Sequence, residues 1–145
     1  MLTYSDRAFG SILVSGMSEA SDFYLRKRIS LAVKLANPRT FSFLAYAITY
    51  GNSDTKETFE KLYKEAVKGD FRSIYQYYQY SLAYNCTNQL ENIKHPILMV
   101  YGKKDKSFQR YAHLLQQKLP CNELRFLRKE KHQIPTKAAQ ELNQL

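Results

Sequence analysis

Residues 96–105 read PILMVYGKKD. The run from Pro96 to Tyr101 is apolar without alternation, too short for a globular helix and closed by Gly102, which is the pattern of a strand buried on both faces. Behind it Leu114, Leu115, Lys118 and Leu119 recur at helical spacing until Pro120 ends the helix. Glu123–Leu127 then reads as a second short strand, and Pro135 opens a last helix through PTKAAQEL. The order strand, helix, strand, helix implies parallel strands joined by crossovers.

Toward the N-terminus, SILVS at residues 11–15 is β-rich and flanked by Gly10 and Gly16, so it reads as another buried strand. Four helices are expected between it and Pro96. The first begins near Ser21, with Leu25, Ile29, Ala32, Val33 and Ala36 on one face. Asn37-Pro38 closes it and opens the second, Asn as cap and Pro at the first helical position; this one runs to Tyr50 and stops at Gly51-Asn52. Ser53 or Asp54 caps the third, whose stripe is Phe59, Leu62, Tyr63 and Ala66 before Gly69; Asp70 caps the fourth, through IYQYYQYSLAY. The expectation is an α/β chain with a strand segment at 1–20, a helical insertion at 21–88 and a β-α-β-α segment at 89–145.

At 145 residues this is one domain by size. The charge is +9, from 22 Lys and Arg against 13 Asp and Glu, but the cations come in short scattered groups such as Arg26-Lys27-Arg28, Lys103-Lys104 and Arg128-Lys129. They read as a solvated surface. No glycine-rich phosphate loop and no RNA-binding motif accompanies them, so a phosphate or nucleic-acid binder is the lesser reading and no nucleic-acid partner is expected. Cys86 and Cys121 stand alone, which indicates neither a zinc site nor a disulfide framework; no metal or cofactor is expected. No apolar run approaches the ~18–20 residues of a membrane span, and the N-terminus lacks a signal-peptide pattern. A cytoplasmic protein without a membrane partner is expected.

Open parallel sheets place their sites at the C-terminal ends of the strands. Asp105 and His132 both fall there, 27 residues apart across one α-β unit. A carboxylate fixes the tautomer of an imidazole and stabilises its protonated form, leaving the other nitrogen to take a proton from a nucleophile. Gly16-Met17-Ser18-Glu19-Ala20 looks locally like the turn that presents a nucleophilic serine. Against that, the 87 residues from Ser18 to Asp105 would have to hold a further strand, and Phe41–Tyr50 reads better as helix. Ser18 is then a small hydroxyl closing a turn. In the tyrosine-rich helix, Phe71, Ile74, Tyr75, Tyr78 and Leu82 form a packing face, while Tyr77, Tyr80 and Tyr84 form a second face suited to lining a substrate pocket. His95 precedes the strand at the wrong end, and His113 sits within a helix.

The stretch Leu90-Glu-Asn-Ile-Lys-His-Pro-Ile-Leu-Met-Val-Tyr-Gly-Lys-Lys-Asp105, followed by Leu119-Pro, Leu124-Arg-Phe-Leu and His132-Gln-Ile-Pro, resembles the C-terminal part of an α/β-hydrolase. The resemblance implies that SILVS is the sixth strand, the helical block the cap, Asp105 the triad acid and His132 the base. It also implies that the nucleophile turn and the oxyanion donors fall before Met1. Glu19 has a second reading, because some members of the family carry the acid after the sixth strand. Hydrolysis of a small ester or amide by a Ser-Asp-His triad whose serine is missing from this chain is the function implied. The alternative is a truncated, non-catalytic module that needs an N-terminal partner, its bare strand edge inviting self-association.

Overall fold

The computed structural model describes residues 7–145, so the first six residues of the expected 1–20 segment lie outside the described residues. Strands β1 (Ser11–Val14), β2 (Ile97–Gly102) and β3 (Asn122–Leu127) form one parallel sheet in the order β1-β2-β3. Val14 is paired with Val100, and Tyr101 with Phe126. Between β1 and β2 the chain makes four α-helices, α1 (Phe23–Leu35), α2 (Phe41–Asn52), α3 (Lys56–Ala66) and α4 (Phe71–Ala83), and then a 3-10 helix at Thr87–Asn92. After β2 come α5 (Lys106–Lys118), β3 and two single turns of helix, α6 (Ile134–Lys137) and α7 (Ala139–Leu142). The architecture is α/β, a three-stranded parallel sheet with a four-helix insertion between its first and second strands. No helix among the described residues is long and apolar enough to cross a membrane.

The chain divides into two compact units: one holds the residues up to Glu19 together with Asn85–Leu145, the other Ala20–Tyr84. In the sheet unit, alternation along β2 sends Val100 toward Leu127, Ile134 and Ala138, with Val14, Leu98 and Leu142 packed around them. Met99 and Tyr101 point to the other face and are fully buried. There the Tyr101 ring lies 6.3 Å from Phe126, which also meets His113 of α5. A strand covered on both faces must be apolar throughout, which is why β2 shows no alternation in sequence.

Within the helical unit, α1 packs on α4 and α2 on α3. Asp22 caps α1 by accepting from Leu25 N at 2.8 Å, and Asp70 caps α4 by accepting from Arg72 N at 3.0 Å. Arg26 donates to the carbonyls of Ala20 and Leu82, fastening the start of α1 to the end of α4. Tyr46, Tyr50, Phe59 and Tyr63 form an aromatic cluster joining α2 to α3, with Tyr46–Tyr50 and Phe59–Tyr63 stacked and the cross-helix pairs edge-on.

Several local expectations are corrected. Asn37-Pro38 does not start α2. The Asn37 amide donates to Lys34 O and Thr40 Oγ1 while its oxygen accepts from Arg39 N, so Asn37 is spent on the turn and α2 begins after Thr40. Helix α3 is capped by Thr55, because the Ser53 hydroxyl turns back to donate to Thr49 O. The buried stripe of α5 is Phe108, Tyr111, Ala112 and Leu115, with Leu114 only half-buried. The last helix is broken at Ala138, whose φ of −140° leaves the helical region between α6 and α7.

Truncating Met99, which is fully buried at the centre of the sheet, is expected to cost about 2–5 kcal/mol. Met99→Ala should lower the urea midpoint accordingly, whereas Leu31→Ala, at an exposed position, should change the stability by under ~0.5 kcal/mol and leave the midpoint nearly where it was.

Candidate active site

Two loops at the C-terminal ends of β2 and β3 carry the candidate residues. They are zipped together by backbone hydrogen bonds, Lys103 N to Leu127 O at 2.8 Å and Lys104 N to Glu130 O at 2.9 Å. The approach is so close at Gly102 that a Cβ there would overlap the carbonyl oxygens of Lys131 and Glu130. Glycine is needed here for the absence of a side chain, not for a left-handed backbone. Gln109 of α5 donates to Lys103 O at 2.6 Å and holds the same loop from below.

Asp105 occupies the N-cap of α5, the position at which an aspartate side chain ordinarily accepts from the first helical N–H groups. Here it makes no such bond. Its Oδ2 instead lies 3.0 Å from His132 Nδ1, while its backbone carbonyl accepts from Phe108 N and Gln109 N. The carboxylate is almost fully enclosed, with 9% of the side chain exposed, whereas the imidazole is 41% exposed. The Phe108 ring lies 4.1 Å from the imidazole and packs beneath it. With Nδ1 turned to the carboxylate, Nε2 is the nitrogen left for chemistry, and among the described residues no side chain occupies it.

His132 is held through its backbone as well. Its carbonyl accepts from Ile134 N and from the Ser15 hydroxyl, each at 3.0 Å. Ser15 ends β1 with φ of 48°, a left-handed conformation uncommon outside glycine, while its own N–H donates to Val100 O. One residue on, Gly16 O accepts from the Tyr101 hydroxyl at 2.7 Å. The end of β1 is therefore fixed to both other strand ends. Burial, with the charge of Asp105 adding to it, pushes the Tyr101 hydroxyl above the ordinary tyrosine value, so it serves as a neutral donor.

Ser18 and Glu19 lie in a second network. Ser18 is buried, and its hydroxyl is 2.8 Å from Thr87 Oγ1, which itself donates to Glu19 Oε2 at 2.8 Å. Threonine has one hydroxyl proton, so Ser18 must be the donor in its pair. Asn85 donates to the same Glu19 oxygen, and Cys86 N donates to Ser18 O. These bonds bind the stretch entering the helical insertion to the stretch leaving it. Tyr77, Tyr80 and Tyr84 belong to the helical segment and are exposed, the first two on α4 and the third at its C-cap.

The structure thus brings Asp105 and His132 together and leaves Ser18 and Glu19 with Thr87 and Asn85. Sequence reasoning did not single out Ser15, Gly102, Phe108 or Tyr101. A glycine at the end of a buried strand signals close backbone approach, the signal by which Gly102 could have been found; no local pattern points to Ser15.

No family model and no curated protein matches the chain in sequence. Among solved structures it is similar to MenH from S. aureus, with a TM-score of 0.78 and 14% identity over 99% of this chain and 60% of that one. It is similar also to an esterase from Exiguobacterium antarcticum, with a TM-score of 0.81 and 11% identity over 99% of this chain and 59% of the other. An alpha/beta hydrolase enzyme from a Medee basin deep-sea metagenome library matches with a TM-score of 0.74 and 13% identity, over 97% of this chain and 57% of its own. The chain spans less than two thirds of the length of each.

Two predictions test the geometry. Gly102→Ala is expected to destabilise by about 1–3 kcal/mol, because the obstacle is backbone rather than a flexible side chain; a wild-type urea midpoint would contradict the zipped loops. Tyr101 has a raised pKa in the folded state, so its contribution is intact below the unfolded value of 10.0 and is lost as pH climbs beyond it. The denaturation midpoint should therefore fall above that pH, and less steeply in Tyr101→Phe; Tyr78, raised by burial and by Tyr77, retains part of the decline. Its likeness to these solved structures identifies the chain as carrying part of the α/β-hydrolase fold.

Proposed function

We propose that the chain supplies the acid and the histidine of a serine hydrolase acting on small ester- or amide-type substrates. The observation that carries this reading is the Asp105–His132 contact at 3.0 Å, with the carboxylate enclosed and the second imidazole nitrogen unoccupied. In that role Asp105 holds the Nδ1–H tautomer and stabilises the imidazolium. His132 Nε2 takes the proton from the attacking hydroxyl and returns it to the leaving group, as general base and then general acid. The attacking serine and the oxyanion donors come from residues outside this sequence. What supports that assignment is the state of Ser18, 1% exposed with its proton committed to Thr87. The helical segment is the cap in this reading, and Tyr77, Tyr80 and Tyr84 its substrate-facing side chains.

A non-catalytic module that pairs with a separate N-terminal segment is the second reading; it rests on β1 being the edge strand of the described sheet. Labelling with a serine-reactive fluorophosphonate separates the two. The chain by itself is expected to take up no label. Joined to a coding segment found upstream that carries Gly-x-Ser-x-Gly, it should label stoichiometrically and hydrolyse p-nitrophenyl acetate, and His132→Ala or Asp105→Ala should lower kcat by about 10³–10⁴-fold. Label on Ser18 that disappears in His132→Ala, or full activity of the joined protein without His132, would refute the proposal.

A further inference from the structure

Resting on the reading of Asp105 and His132 as a catalytic pair, we infer that the substrate of this site carries a negative charge, a carboxylate or phosphate group a few bonds from the bond that is cleaved. The zipped loops bring together two basic groups that are far apart in sequence. Lys103, Lys104 and Lys106 flank Asp105, and Arg128, Lys129 and Lys131 precede His132; all six are exposed. Their backbones are held in register by the bonds from Lys103 N to Leu127 O and from Lys104 N to Glu130 O, so the grouping is built into the fold.

On these loops cations are dense and carboxylates few. Away from the site five cations meet carboxylates: Lys56 with Glu60, Lys61 with Glu57, Lys68 with Glu65, Lys118 with Glu91 and Arg125 with Glu123. On the site loops the carboxylates are Asp105, engaged with His132, and Glu130, so six cations face two acids. Among the described residues none of Lys104, Lys106, Arg128, Lys129 and Lys131 is paired with a carboxylate. The ammonium of Lys103 lies 5.0 Å over the Phe126 ring. Like charges held together on two fixed loops repel one another, and an anion seated among them relieves that repulsion. Lysine offers a phosphate or carboxylate a point charge, and arginine a planar pair of donors.

These cations stand on the same two loops as Asp105 and His132, within one to four residues of one or the other. A ligand whose reacting carbonyl sits at His132 Nε2 then meets, in this proposal, one of these side chains with its charged end. The arrangement suits a compact anion on a small molecule.

Titration of the ¹⁵N-labelled chain with inorganic pyrophosphate tests this directly. Amide shifts are expected to be concentrated at residues 103–106 and 128–132, and to weaken as salt is raised, because the screening length falls to about 10 Å near 0.1 M. Lys104→Glu with Lys129→Glu should weaken binding by about 25-fold, each exposed contact contributing about fivefold in water. Lys34→Glu with Lys64→Glu, the same change in net charge at exposed positions of the helical unit, should leave it unchanged. Absence of shifts at these loops, equal shifts at residues 26–28, or equal loss in the two double variants would overturn the inference. Binding is read here without turnover, so its failure leaves the acid–histidine proposal standing, and failure of the fluorophosphonate experiment leaves this one readable.

Discussion

Two backbone hydrogen bonds and one missing Cβ organise the sheet unit. Lys103 N and Lys104 N donate across to Leu127 O and Glu130 O, and Gly102 lets the carbonyls of residues 130 and 131 settle against it. Without that contact Asp105 and His132 would sit on independent loops, each following a different strand. With it, the carboxylate and the imidazole are fixed at hydrogen-bond distance by main-chain geometry, which depends little on side-chain entropy.

The rest of the site follows from that constraint. Asp105 forgoes the capping bond its position offers, a loss of about 0.5–2 kcal/mol in typical helices, and spends its carboxylate on His132. The imidazole then rests on Phe108, from the first turn of the same helix, while Ser15 and Ile134 hold its carbonyl. Ser15 does so in a left-handed conformation, a local strain held in place by its bonds to Val100 and His132. These bonds, with Tyr101 holding the next residue, tie the end of β1 to β2 and to the loop after β3.

Much of this was legible in the sequence because it is written locally. An unbroken apolar run with β-branched or bulky residues reports a strand buried on both faces, and β2 fell where Pro96–Gly102 placed it, one residue later at its start. Asp105 and His132 were found by position at strand ends, without knowledge of what holds them together. What escaped depended on choices between competing hydrogen bonds. Asn37 can cap a helix or close a turn, and its three bonds within the turn decided it. Ser53 likewise turned back to Thr49 and left the cap to Thr55. The bond from Ser15 to a carbonyl 117 residues away is purely tertiary, and no local pattern announces it. Ser18 resembled a nucleophile turn in sequence; its burial against Thr87 depends on a residue 69 positions away.

The proposed role of the pair requires His132 to carry its proton on Nδ1, where Asp105 accepts it. ¹⁵N NMR of the imidazole, at a pH where the ring is neutral, reads the tautomer directly. A protonated Nδ1 and an unprotonated Nε2 in the native chain, with that preference lost in Asp105→Ala, is the predicted result. A ring protonated mainly at Nε2, or a tautomer indifferent to the loss of Asp105, would contradict it.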